Sequence, residues 1–225
     1  MYTRLLIHVE GQTEESFVNN VLRPRLHGIG YTSVGARLIG NAQQRARRGG
    51  AVPWSEVRRT VVRHLTGDSG AVSTTMVDYY GLPQSGARAW PGRAGAARLP
   101  FSEKASAIEA MLAQDIRSRM GSNFDTRRFV PFVMMHEFEA LLFSDCDRFA
   151  LGIDTPELVD EFRSIVSRFN SPEEIDDSSE NAPSKRILKL VPRYEKPLFG
   201  TIAALEIGLD AMLDSCPHFL SGWSV

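Results

Sequence analysis

Three short apolar runs in this chain each end in an acidic residue, and that placement narrows the folds open to it. Leu5–Val9 (LLIHV) stops at Glu10, Ala71–Val77 (AVSTTMV) stops at Asp78, and Phe129–Met135 (FVPFVMM) leads through His136 to Glu137. Near-continuous apolar runs of this length predict strands buried on both faces. Thr32–Ile39 predicts a further strand. Helix patterns alternate with them. Thr13 caps the first, with Glu14 and Glu15 in its opening turn and Phe17, Val18, Val21 and Leu22 on one face as far as Leu26. Val52–Leu65, with Pro53 in its first turn, and Ser102–Met120 predict two more. Strand and helix in alternation specify an α/β fold with a mostly parallel central sheet flanked by helices. The 225 residues suit one domain, 1–225, with a helical C-terminal part over about 150–225 formed by Pro156–Phe169, Lys185–Val191 and Gly200–Leu213.

In an open parallel sheet, ligands bind outside the carboxyl ends of the strands. Glu10, Asp78 and Glu137 fall at such ends, and neighbouring strands would bring them to one edge. Clustered carboxylates without cysteine partners suit a hard cation, Mg²⁺ or Mn²⁺. Cys146 and Cys216 are far apart in sequence and have no metal-ligand or redox spacing. Each acid taken singly is equally a strand-ending cap. Glu14 is placed to point back towards the sheet edge from the first helical turn. Glu137 and Glu139 share a face only if the backbone between them is extended. His136 reads either as a partner to the metal ligands or as a hydrogen-bonded structural residue.

Charge separates along the chain. Residues 1–100 hold 13 Arg and no Lys against 6 acids, a balance of +7, and the remainder carries −8. Arginine suits phosphate, and such asymmetry points to nucleic acid. The stretch from Gly81 to Pro100 reads as a long loop, and its Arg88, Trp90, Arg93 and Arg98 follow directly on Asp78. Basic residues with an aromatic suit a phosphate backbone and a stacked base; a loop anchor is the other reading of Trp90. Arg45, Arg47 and Arg48 form a second basic group without an aromatic. There is no G-x-x-x-x-G-K-[ST] loop for ATP and no G-x-S-x-G elbow. No apolar run approaches the roughly 18 residues of a membrane span, so a soluble, cytoplasmic protein is expected.

Longer strings carry a resemblance. VEGQTEESF at 9–17, MVDYYGLP at 76–83, PFVMMHEFEALLFSD at 131–145, NAPSKRIL at 181–188, Pro192 to Lys196 and CPHFLSGW at 216–223 resemble the bacterial domain-of-unknown-function family numbered 4276. That family is regarded as Toprim-like, with the Rossmann-like, metal-binding α/β fold of topoisomerases, primases and OLD-type nucleases. The resemblance implies a divalent-metal-dependent nuclease with Glu10 and Glu14 as metal-site glutamates, in bacterial anti-phage defence loci beside an AAA or ABC-type ATPase. The second Toprim motif is ordinarily Asp-x-Asp, and here it reads Asp78-Tyr79-Tyr80. Glu137 or Glu139 replaces the missing acid, or the metal site is reduced. A lysine beyond the last acidic motif assists at the phosphate in OLD-type nucleases; Lys185, or Arg186 beside it, is the candidate here.

The expected site therefore has Glu10, Asp78, Glu137 and Lys185 as catalytic groups. Glu10, Glu14, Asp78, Glu137 and Glu139 are its metal candidates, with His136 behind them. The expected substrate is nucleic acid, DNA ahead of RNA. The other reading is a non-catalytic partner subunit of an ATPase that docks or senses nucleic acid.

Overall fold

The computed structural model describes residues 3–40, 52–175 and 180–223. Arg45, Arg47 and Arg48 lie outside the described residues. The fold is α/β, with a parallel sheet flanked by helices. Strands β1 (Arg4–Val9), β2 (Ser33–Leu38), β3 (Ala71–Asp78) and β4 (Val133–Met134) are arranged in the order β2-β1-β3-β4. β1 runs parallel to both neighbours, in register from Arg4↔Ser33 to Val9↔Leu38 and from Arg4↔Ala71 to Val9↔Met76. Ile7, Val9, Met76 and Val77 are fully buried, as apolar strands covered on both faces must be.

The chain divides into two compact units. The first comprises residues 1–11 and 25–133. Its helix Trp54–Gly67 buries Trp54, Val57, Val61 and Leu65, spaced three and four apart along one stripe. Helix Phe101–Met120 buries Ala105, Ile108, Leu112 and Ile116 in the same way and stops at Gly121, whose φ of 88° favours glycine. The stretch after β3, expected as a plain loop, holds 3-10 turns at Tyr79–Gly81 and Gly86–Arg88 and a short helix at Arg93–Ala96. Gly92 lets it approach Phe101–Met120: its φ is 80°, and a Cβ there would meet the Ile108 Cα at 3.1 Å.

The second unit comprises residues 12–24 and 134–225. Its core is aromatic: Phe17, Phe138, Phe143, Phe149, Phe162 and Phe219 are all essentially fully buried. The Phe149 and Phe162 rings lie 4.5 Å apart, and Phe17 meets Phe138 edge-on at 5.3 Å. The helix expected over 13–26 is interrupted. Gln12–Phe17 is α-helical, Val18–Leu22 widens to a π turn, and Arg23–Gly28 resumes the α pattern. The long C-terminal helix expected over 200–213 is two, Thr201–Ile207 and Leu209–Ser215, because Gly208 between them sits at φ 81°. Gly152 packs against the first of these, where a Cβ would lie 2.9 Å from the Ala203 Cα. Beyond β4 the chain forms the 3-10 segment Phe138–Ser144. Among the described residues no helix is long and apolar enough to cross a membrane.

Candidate functional site

Glu10 and Asp78 belong to the first unit. β1 and β3 are adjacent and parallel, so both acids stand at carboxyl ends of neighbouring strands. Glu10 follows Val9 directly, and Asp78 is the last residue of β3. Both are partly exposed. The turn after β3 shapes the space around the Glu10 carboxylate. A Cβ on Gly81 would sit 3.2 Å from Glu10 Oε2 and 3.4 Å from Oε1, so the bare backbone of residue 81 leaves a cradle for that carboxylate.

Burial separates the basic residues that follow Asp78. Arg88 and Arg98 are exposed. Trp90 is 3% exposed, packs against Trp54 at 5.1 Å and donates its Nε1–H to the Val52 carbonyl at 2.9 Å. It anchors the loop, and its faces are covered by protein. Arg93 is 6% exposed; its Nε donates to the Tyr79 carbonyl and its Nη1 to the Tyr79 hydroxyl, both at 3.1 Å, with the guanidinium 3.8 Å over the Tyr79 ring. The expectation that Trp90 and Arg93 present themselves to nucleic acid is thus corrected. Apolar transfer of the indole and the Tyr79 contacts of the guanidinium commit both to the interior. Arg88 and Arg98 remain as surface cations.

The second unit holds Glu14, His136, Glu137, Glu139 and Lys185. Glu14 is buried on the short helix Gln12–Phe17. Glu137 accepts the Ser184 amide at 3.1 Å on Oε2, at the start of helix Pro183–Leu190. Glu139 has no exposed surface. Its Oε2 accepts from Lys196 Nζ at 2.7 Å, and its Oε1 is buried without a hydrogen-bond partner. Burial pushes the Glu139 carboxyl above the usual carboxylate range, opposed by Lys196, and the neighbouring Glu137 charge pushes the same way as burial. Tyr194 feels the charge of three of these acids. Its hydroxyl is buried without a partner, and burial followed by the charges of Glu139, Glu137 and Glu14 raises its phenol far above the ordinary value. The His136 ring is buried, with Nδ1 3.3 Å from the Ile175 carbonyl.

Lys185 is exposed, whereas Lys196 reaches a site carboxylate. Sequence reasoning passed over Lys196 and Tyr194. The signal was present in the Pro192-to-Lys196 string, but a Tyr and a Lys in a charged stretch carry no periodicity that marks them.

A family model described as Domain of unknown function (DUF4276) matches residues 9–223. The chain belongs to this family. No curated protein matches it. Among solved structures, the C-terminal region of the OLD protein of Xanthomonas campestris pv. campestris is similar at 11% identity and a TM-score of 0.38, over 100% of this chain and 97% of that one. In this DUF4276 member the residues matched by the model include every acid described above.

The donor chemistry fits a hard divalent cation. All the candidate ligands are carboxylates, and Mg²⁺ commonly takes one or two of them while keeping several waters. The two cysteines are free and buried, and burial pushes their thiols up, to about 11 for Cys146 and about 12 for Cys216, so neither offers a thiolate to a softer metal. Among the described residues no three His, Cys, Asp or Glu side chains are grouped as a ready-made cage.

Proposed function

We propose that this protein is a divalent-metal-dependent phosphodiesterase acting on nucleic acid, DNA ahead of RNA, within bacterial anti-phage defence. The observation that carries the proposal is the pair Glu10 and Asp78 at carboxyl ends of adjacent parallel strands, with the Glu10 carboxylate cradled over Gly81. Glu10 and Asp78 would hold Mg²⁺ or Mn²⁺, and a bound ion of this kind polarises a phosphoryl oxygen and lowers the pKa of a coordinated water. Arg88 and Arg98, exposed on the stretch that follows Asp78, bind backbone phosphates of the substrate. The absence of a side chain at Gly81 leaves the Glu10 carboxylate room at the strand end. Within the second unit, Lys196 neutralises part of the charge of the buried Glu139 carboxylate.

Two observations favour a second reading, a non-catalytic partner of an AAA or ABC-type ATPase that docks nucleic acid. Tyr80 stands where the Toprim pattern has its second acid, and no three-ligand group is present among the described residues.

A Mn²⁺ titration followed by thermal unfolding distinguishes these. Binding to the native state raises Tm by mass action, and Glu10→Gln should abolish the rise. Nicking of supercoiled plasmid in Mn²⁺ by the wild type and not by Glu10→Gln supports the enzyme. Metal binding with no nicking supports the partner. No rise in Tm at millimolar Mn²⁺ refutes the metal site itself.

A further inference from the structure

The amino-terminal half of the sheet carries a second feature, independent of the carboxylates at the other end. Strand alternation and register place Leu6, His8, Gly35, Arg37 and Ser73 on one face of β1, β2 and β3. The hydrogen bond between His8 Nε2 and Ser73 Oγ, 2.8 Å, lies on this face. Helix Trp54–Gly67 covers it, and the His64 ring stacks on His8 with centroids 5.4 Å apart and planes inclined by 20°. Where β2 faces Leu6, however, its residue is Gly35. No side chain fills the space there, and a groove of about 350 Å³ remains, with Leu5, Leu6 and Gly35 as its floor and Arg63 and His64 on its wall.

Three observations describe what this groove accepts. First, its size lies at the lower end of small-molecule sites, and its floor is apolar. Second, the His64 Nδ1 is buried and has no hydrogen-bond partner; buried polar atoms of this kind are uncommon and call for one. Third, its charge is unbalanced. The one acid on the groove, Asp68, is held by Arg4 through paired hydrogen bonds, one of them 2.6 Å from Nε. Arg63 on the wall and Arg37 on the same sheet face are exposed and form no ion pair among the described residues. Burial first, then both guanidinium charges, lower the pKa of His64 from its ordinary value and so favour the neutral imidazole. A neutral imidazole still donates one N–H, and a guanidinium offers a planar fork that matches an oxyanion.

We propose that this groove is a binding site for a small organic oxyanion, a phosphate or carboxylate on an aromatic or apolar body, with the body on Leu6 and Gly35 and the anionic head at Arg63 and His64. The site sits at the opposite end of the strands from Glu10 and Asp78. It does not depend on the nuclease reading.

Isothermal titration of the full chain with phenyl phosphate, benzoate and inorganic phosphate tests it. Saturable binding of phenyl phosphate or benzoate, at least tenfold tighter than inorganic phosphate, supports the proposal, and whichever binds identifies the head group. Two variants locate the site. Gly35→Leu fills the groove: a Cβ there meets only the Leu6 Cδ1, at 3.7 Å, and the backbone is in a region any residue adopts. Arg63→Ala removes the surface cation without touching the core. Each should weaken binding at least tenfold with an unchanged circular dichroism spectrum, and Arg63→Ala decides the matter if Gly35→Leu does not fold. Failure of both aryl anions to saturate, equal affinity for inorganic phosphate, or full affinity in Arg63→Ala would overturn it.

Discussion

Lys196→Met removes the ion pair that buried Glu139 makes within the second unit. Glu139 is fully buried, and Lys196 is its cationic partner at 2.7 Å, while the other carboxylate oxygen is buried without a hydrogen-bond partner. Removing one member of a buried pair costs about 3–5 kcal/mol, because the remaining charge is left without compensation. The Lys196 side chain is 44% exposed, so solvent already screens part of the attraction, and the expected loss falls to roughly 2–3 kcal/mol. The loss depends on pH. In the wild type the Glu139 carboxyl already lies above its unfolded value of 4.5, so its contribution to stability declines as pH rises through that range. Without the ammonium the folded value climbs further, and the decline continues to higher pH. The penalty for Lys196→Met should therefore be larger at pH 8 than at pH 5. Urea unfolding of both proteins at the two pH values measures it. Glu139→Gln introduced into Lys196→Met should recover part of the loss, since a neutral amide replaces the stranded carboxylate. A penalty below about 0.5 kcal/mol, typical of a surface pair, would refute the reasoning, as would a penalty equal at both pH values.

Three further predictions concern the first unit. Burial, then the charges of His64 and Arg37, lowers the His8 pKa to about 3 from the ordinary 6.5, so the unfolded chain takes up a proton that the folded one resists. Stability should fall as pH drops from 6.5 towards 3, by about 3 kcal/mol at pH 4, at 1.36 kcal/mol per pH unit. His8→Gln should flatten that slope in urea unfolding, and an unchanged slope would show that His8 is not its source. Trp90→Ala should cost about 3–5 kcal/mol of stability, the usual penalty for emptying a buried indole site. Arg88→Ala should leave stability within about 0.5 kcal/mol yet weaken DNA binding in a filter assay. A Trp90→Ala protein as stable as wild type would mean that the indole does not anchor the loop.

The sequence by itself determined the α/β class, three of the four strands nearly to their ends, and the position of acids where strands stop. Those features are local: an apolar run of the right length, a break, a charged residue. The fourth strand was overextended, since only Val133–Met134 of the expected Phe129–Met135 is assigned as strand, and β-propensity does not say where pairing partners run out. Gly208 similarly split a helix that its apolar pattern made continuous, because a positive φ is invisible to periodicity. The side chains were settled only by tertiary structure. Trp90 and Arg93 look in sequence like a nucleic-acid loop; in the fold, Trp54 and Tyr79 cover them. Lys185 and Lys196 are indistinguishable as charges in a string, and only packing brought Lys196 to within a hydrogen bond of buried Glu139. The groove beside Gly35 arises because a missing side chain on one strand faces a helix more than a dozen residues away in sequence. Burial and charge pairing depend on which distant residues meet, and no stretch of sequence carries that by itself.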